Sequence, residues 1–185
     1  MRWISLILMF TSLTCTAQVV QNFSLTNVSD NTSVSLEDFS PNSGVVIIFT
    51  SIDCPYDDYY LSRIQELAET YKTRTPVLLI NSNSDESIDQ VKKYVEQTRL
   101  TIPYLIDKDH KVLASLNPRK STECFLLQNS GEKFTVVYRG AIDDNAQTAS
   151  EVNHFYLKDA ITKLLTNQKI EIPDVRPVGC SIRKN

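Results

Sequence analysis

Residues 45–80 read VVIIFTSIDCPYDDYYLSRIQELAETYKTRTPVLLI. Val45–Phe49 and Pro76–Ile80 are short, continuous apolar runs of strand length. Strands covered on both faces read this way, because neither face has to be polar. Between them, Pro55–Tyr71 carries Tyr60, Ile64, Leu67, Ala68 and Tyr71 at helical spacing. The stretch therefore predicts strand, helix, strand, with the two strands buried side by side.

Working outward, Val19–Thr26, a polar turn at Asn27–Asn31, and Ser33–Leu36 predict an N-terminal β-hairpin. Downstream, Ser84–Gln97 places Ile88, Val91 and Val95 on one face, behind a capping pattern at Ser84-Asp85-Glu86-Ser87, and predicts a second helix. Tyr104–Ile106 reads as a strand followed by an Asp-Lys-Asp turn. Cys124–Leu127 and Phe134–Tyr138 flank Asn129-Ser130-Gly131, a hairpin signal. Val152–Leu165, with Phe155, Ala160, Ile161 and Leu164, closes the chain as a helix. The order βαβα, hairpin, helix predicts an α/β thioredoxin fold: a central mixed β-sheet flanked by helices, parallel first and antiparallel later.

The 185 residues suit one domain plus an address segment. Residues 1–17 combine Arg2, an apolar run Trp3–Leu13 and a small-residue exit at Cys15-Thr16-Ala17, the layout of a secretory signal peptide too short to span a bilayer. Acylation of Cys15 as a lipoprotein is the weaker fit, since Thr14 stands where Gly or Ala is preferred. The expected organisation is signal 1–17, domain 18–170, and a tail 171–185 carrying Cys180. Secreted or periplasmic residence follows, with no stable membrane span after cleavage. Residues 18–185 hold 18 basic against 22 acidic side chains, a net charge of −4. No basic run tracks a phosphate backbone, which argues against nucleic acid as a partner. The sequons at Asn22, Asn27 and Asn31 read as loop and edge-strand composition.

Four glycines and two histidines leave little room for phosphate loops, His-rich metal sites or most His-dependent triads. Neither a metal nor another cofactor is implied. Asp143-Asp144, after a strand, reads as turn and cap residues. Chemistry must come mainly from cysteine, and Cys54, Cys124 and Cys180 remain after the signal, an odd number in a compartment where disulfides persist. Cys124 opens an apolar strand and reads as a packed small hydrophobe. Cys54 sits where a buried strand meets a helix. The helix N-terminus stabilises a thiolate, whereas Asp53, Asp57 and Asp58 bring opposing negative charge to the same turn.

The run Val45–Phe49, Cys54-Pro55, Ile102–Asp107, Phe125-Leu126-Leu127, Tyr138–Asp144 and Val178–Ile182 together resemble an extracytoplasmic redoxin of the thioredoxin-like AhpC/TSA group, which includes peroxiredoxins. The resemblance implies a thiol oxidoreductase or peroxidase with Cys54 as its single active-site thiol, a peroxide or protein-thiol substrate, and an external thiol reductant. Departures from the family pattern are specific. A C-x-x-C would need its second thiol at position 57, which is Asp57. In the peroxiredoxin pattern P-x-x-x-[ST]-x-x-C, Ser51 and Cys54 match but Ile47 replaces the proline. Thr122 stands where thioredoxins place a cis-proline and peroxiredoxins an arginine.

In such a fold Arg119 and Arg139 lie at the sheet end that carries Cys54, where an arginine would lower the thiol pKa and orient a peroxide oxygen; both also read as solvated surface residues. Cys180 reads as a resolving cysteine for oxidised Cys54, as half of a structural bridge, or as a free thiol. Three readings stay open: a peroxidase, a one-thiol disulfide reductase or isomerase, and a redox-inactive binding or accessory module. Oligomeric state is not legible.

Overall fold

The computed structural model describes residues 18–131 and 133–184. The signal segment, with Cys15, lies outside the described residues. One eight-stranded mixed sheet forms the centre, in the order β1-β8-β7-β4-β5-β6-β2-β3. Its middle is β4 (Gly44–Thr50), parallel to β5 (Val77–Asn81) and antiparallel to β7 (Cys124–Asn129). Helix α1 (Pro55–Tyr71) makes the first crossover and α2 (Ile88–Thr98) leads to β6 (Tyr104–Ile106), which extends the parallel set. The thioredoxin fold read from the sequence is the fold observed.

The continuous apolar reading of β4 has a direct cause. Val46 and Ile48 face a core closed by α1, α2 and α4 (Tyr156–Leu165). Val45, Ile47 and Phe49 face a second core, closed by α3 (Lys111–Leu116) and the 3-10 turn Leu36–Phe39. Both faces are therefore sealed.

Four boundaries differ from the sequence reading. The N-terminal run is split: β1 (Val19–Val20) pairs with β8 (Phe134–Gly140) at one edge, and β2 (Ser24–Asn27) forms its hairpin with β3 (Ser33–Ser35) at the other. Helix α2 begins later than its expected cap. Ser87 and Gln90 make the capping box, which frees Glu86 to turn inward. The Asp-Lys-Asp turn continues into α3, because the buried Asp107 carboxylate accepts the N–H groups of Lys111 and Leu113 (2.9 and 2.8 Å) and so caps the helix from outside it. The closing helix starts at Tyr156, not Val152; a 3-10 turn at Ala149–Glu151 precedes it.

Beyond α4 the chain returns across the sheet end that carries Cys54. Arg139 N–H donates to the Pro173 carbonyl (2.9 Å) and Val175 N–H to the Arg139 carbonyl (3.1 Å). Farther on, Arg183 N–H donates to Asn83 Oδ1 (3.0 Å) and Ser84 N–H to the Arg183 carbonyl (3.1 Å). The segment read as a polar tail is thus a strap fixed at both ends. Gly140 permits its close approach: φ is +137°, and a Cβ there would overlap the Val175 carbonyl.

Candidate active site at the end of the central strand

Cys54 is the N-cap residue of α1, with Pro55 opening the helix, so its sulfur lies at the positive end of a 17-residue helix. It is buried and bonded to Cys180, with the two Cα atoms 5.9 Å apart. Of the three options open for Cys180, the structure places it on Cys54. Cys124 is a free, fully buried thiol whose Sγ donates to the Gly140 carbonyl (3.1 Å), and burial pushes its pKa well up. It is a packed strand residue.

Ser121 joins the two halves of the disulfide. Its hydroxyl donates to Cys54 Sγ (3.3 Å) and accepts the Cys180 N–H (3.1 Å), while its own N–H donates to the Cys180 carbonyl (2.9 Å). The adjacent Thr122 has φ of 63°, and its hydroxyl donates to the Val178 carbonyl (2.6 Å). Thr122 therefore holds the strap; Ser121, its neighbour, meets the sulfur. Gly179 is pressed against this pair, and a Cβ there would overlap the Ser121 carbonyl. Gly179→Ala is expected to loosen residues 178–181 from Ser121 and slow closure of the Cys54–Cys180 bond by about tenfold, equivalent to about 1.4 kcal/mol of lost docking. Stopped-flow reoxidation of the reduced variant checks this, and an unchanged closure rate would remove the docking argument.

The other anticipated residues are placed differently. Ser51 is buried, but its hydroxyl donates to Glu86. Arg119 and Arg139 are not loose surface side chains: both are tied to the fully buried Glu123 carboxylate (2.8 and 2.9 Å), and Arg119 also to Asp174 (2.8 Å). The Arg119 guanidinium braces the base of the strap through Asp174 and the Val175 carbonyl (3.1 Å), whereas the Arg139 guanidinium donates to the Asn117 carbonyl (3.2 Å) and its backbone meets the strap. Asp143 is also more than a turn residue; it is buried against Arg63 (2.5 Å) and the Tyr60 hydroxyl (3.1 Å).

Under the disulfide lies a polar layer that the sequence reading missed. The Glu86 carboxylate accepts the Ser51 hydroxyl, the Ile52 N–H (3.1 Å) and the Asn81 side-chain amide (2.5 Å), and so fixes the loop ahead of Cys54. Asn83 donates to the Thr50 carbonyl (3.3 Å), and the Tyr104 hydroxyl lies 3.5 Å from that of Thr50. Asp57 accepts the Ser51 N–H (3.3 Å) and is buried. Desolvation raises its pKa to about 7, against the lowering effect of the Thr50 and Ser121 hydroxyls and the Ser51 N–H; Glu86 raises it further. The acidic turn thus opposes a Cys54 thiolate less than its composition suggests, since burial favours the neutral form of the Asp57 carboxyl. A sequence signal existed for both acids. Asp57 lies three and seven residues before Tyr60 and Ile64 on the buried face of α1, and Glu86 ends the polar run that leaves β5 at the same sheet end as Cys54.

Residues 16–142 match the family model described as the AhpC/TSA family. A search of curated proteins found no match. Among solved structures, an uncharacterized conserved protein from Geobacillus kaustophilus is 26% identical, with 91% of this chain and 92% of that chain covered and a TM-score of 0.82. A hypothetical protein from Sinorhizobium meliloti 1021 is 22% identical over 91% and 94% of the two chains, at a TM-score of 0.81. The pneumococcal exposed lipoprotein thioredoxin from Streptococcus pneumoniae is 20% identical over 80% and 99%, at 0.60. The last two likenesses bear on the fold. The family match spans β1 to β8, including Cys54 and Ser121, and stops short of the strap with Cys180. On that match the chain belongs to the AhpC/TSA family of thioredoxin-like redoxins.

Proposed function

We propose that this redoxin is an extracytoplasmic thiol:disulfide oxidoreductase whose two redox sulfurs are Cys54, at the head of α1, and Cys180, on the C-terminal strap. The observation that carries the reading is the Cys54–Cys180 bond held on both sides by Ser121. It supplies the second thiol that Asp57 denies to a local C-x-x-C. In the forward direction the Cys54 thiolate attacks one sulfur of a partner disulfide, and the partner's other sulfur leaves with the electron pair. The Cys180 thiolate then attacks Cys54 Sγ, releasing the partner as a dithiol and closing Cys54–Cys180. An external dithiol returns the pair to the reduced state.

Disulfide exchange is favoured over peroxide reduction by the placement of the polar groups. The Ser51 hydroxyl is engaged by Glu86 and both arginines by Glu123, so none of the three is free to orient a peroxide oxygen beside Cys54. Extracytoplasmic residence is supported by the signal layout of residues 1–17 and by the survival of a disulfide couple outside the cytosol. The name of the pneumococcal relative, an exposed lipoprotein, points the same way.

The test is a pair of rates on the reduced chain, read by mass spectrometry with Cys180→Ser alongside. Reaction with a small-molecule disulfide is expected to outrun reaction with hydrogen peroxide, and Cys180→Ser should accumulate a mixed disulfide at Cys54. Fast sulfenic acid formation at Cys54, closed by Cys180, would instead make the protein a peroxidase. Rates no greater than those of a free thiol with either reagent would leave a structural bridge in a non-catalytic module.

A further inference from the structure

We infer that the external thiol that reduces the Cys54–Cys180 couple is anionic, carrying carboxylates beside its sulfur, and that a cationic rim of Lys120, Arg176 and Lys184 receives it at Cys180. The inference rests on the proposed redox function and names the chemical class of its electron donor.

The two sulfurs are not equally open to solvent. Cys54 is 1% exposed and its Sγ already accepts the Ser121 hydroxyl, whereas Cys180 is only half-buried. Thiol–disulfide exchange depends on which sulfur an incoming thiolate can reach, so an approach from solvent leads to Cys180. The charges around that approach decide which thiols arrive there fastest.

Those charges are of one sign. From Val175 to Lys184 the strap carries Arg176, Arg183 and Lys184 and no acid. Lys120 joins them from the corner before β7: its Nζ donates to the hydroxyl of Ser181 (3.3 Å), the residue that follows Cys180. Arg183 is paired with Asp85, but Lys120, Arg176 and Lys184 form no ion pair among the described residues. Arg176 and Lys184 are exposed, and each stands four residues from Cys180, at most about 14 Å along an extended chain. The acids at the base of the strap are already engaged, Asp174 by Arg119 and Glu123 by Arg119 and Arg139. The exposed acids Asp53 and Asp58 belong to the turn of Cys54, the sulfur that solvent does not reach. Residues 18–185 as a whole carry a net charge of −4, so the excess of cations at Cys180 runs against the average of the chain. A thiolate brings one negative charge of its own, and a carboxylate beside it adds a second for the same three cations to attract.

The step balances as follows. The donor, having lost its thiol proton to solvent, attacks Cys180 Sγ as a thiolate; a bond forms between the two sulfurs, the Cys54–Cys180 bond breaks, and its electron pair goes to Cys54 Sγ. A second thiolate, from the same dithiol or from another molecule of a monothiol, attacks the donor sulfur of this mixed disulfide. The donor leaves as a disulfide, and the electron pair of the broken bond goes to Cys180 Sγ. Both protein sulfurs take protons from solvent, so the couple is reduced by two electrons and the donor oxidised by two. The carboxylates of the donor take no part in bond making; they raise its concentration at the rim.

The test uses the oxidised chain from residue 18 onward with 3-mercaptopropionate, 2-mercaptoethanol and cysteamine, thiols that differ only in the group on the second carbon. Each rate is divided by the thiolate concentration and by the rate of the same reagent with hydroxyethyl disulfide, which removes intrinsic reactivity. At low salt the normalised rate is expected to be about tenfold higher for 3-mercaptopropionate than for cysteamine, with 2-mercaptoethanol between them, and the spread should shrink toward unity in about 0.5 M sodium chloride. Lys120→Gln combined with Arg176→Gln should cut the spread to about threefold. Lys169→Gln, which removes the same charge near Gln128 at the far end of β7, should leave the spread as it is. A parallel arm uses peptides with a central cysteine flanked by glutamates or by lysines. A preference confined to the small thiols assigns a small-molecule donor and one confined to the peptides a polypeptide donor; either supports the rim. Equal or reversed normalised rates across the charges in both arms, or a spread that the double variant or high salt leaves intact, would overturn the anionic donor and leave the redox function standing. A protein disulfide that every one of these thiols reduces no faster than hydroxyethyl disulfide would overturn both.

Discussion

Reduced by excess dithiol, the protein is expected to unfold in urea with about 5 kcal/mol less stability than its oxidised form. The two cysteines are 126 residues apart, and a bond closing so long a loop removes about that much chain entropy from the unfolded state. The geometry adds a local consequence. Without the bond, the strap near Cys180 keeps its hydrogen bonds to Ser121 and Thr122 but loses its covalent anchor. Hydrogen exchange at the Ser121 and Arg183 N–H groups should therefore accelerate on reduction, while β4 and β7 amides retain their protection. Cys180→Ser should reproduce the reduced wild type in both respects. A difference between oxidised and reduced forms below about 1 kcal/mol would mean that the native contacts of the strap oppose the bond, which is how engineered disulfides fall short of the loop-entropy value.

The second large effect is the pH dependence of stability conferred by Asp57. Its folded pKa is raised from 3.8 to about 7 by burial, so the folded state binds its proton more tightly than the unfolded state. The stability this confers is fully present below the unfolded value and is lost as pH rises through the folded one. Asp57→Asn removes the titration, so oxidised Asp57→Asn should gain on the oxidised wild type as pH rises from 4 to 8. The gap should widen by up to about 4 kcal/mol, the shift taken at 1.36 kcal/mol for each pH unit. Because every other titrating group is common to both proteins, urea melts at matched pH isolate the Asp57 contribution. A gap independent of pH would show that the carboxyl is charged throughout and that the polar layer, not protonation, compensates its burial.

Both effects arise from residues whose roles the sequence half disclosed. Cys54 announces itself: a lone cysteine between a β-branched run and an amphipathic helix stands at a helix N-terminus whatever the rest of the fold does. Cys180 could be named from the chain but not joined to Cys54, because a separation of 126 residues carries no local signal of proximity. The sequence pattern points to Thr122 and not to its neighbour Ser121. Alignment on the following strand finds the right corner of the fold, but which of two adjacent side chains meets the sulfur depends on a backbone turn, here the positive φ of Thr122. Arg119 and Arg139 lie at the sheet end that the sequence indicates, but their guanidinium groups meet Glu123. Glu123 is the residue that claims both, and its complete burial is invisible in a list of charges.

The local periodicities of β4, α1, β5 and the hairpin β7–β8 were determined by the sequence alone, since backbone hydrogen bonding and the burial of apolar side chains act over a few residues and leave their period in the chain. So were the thioredoxin order of those elements and the position of Cys54 among them. Tertiary structure decided the rest: the splitting of the N-terminal run between opposite edges of the sheet, the inward turn of Glu86 and Asp57, and the path of the strap that brings Cys180 to Cys54. The physical reason is common to all three. Whether a polar side chain is solvated, buried with partners or buried with a proton depends on what the folded chain packs against it, and that is a property of distant residues meeting.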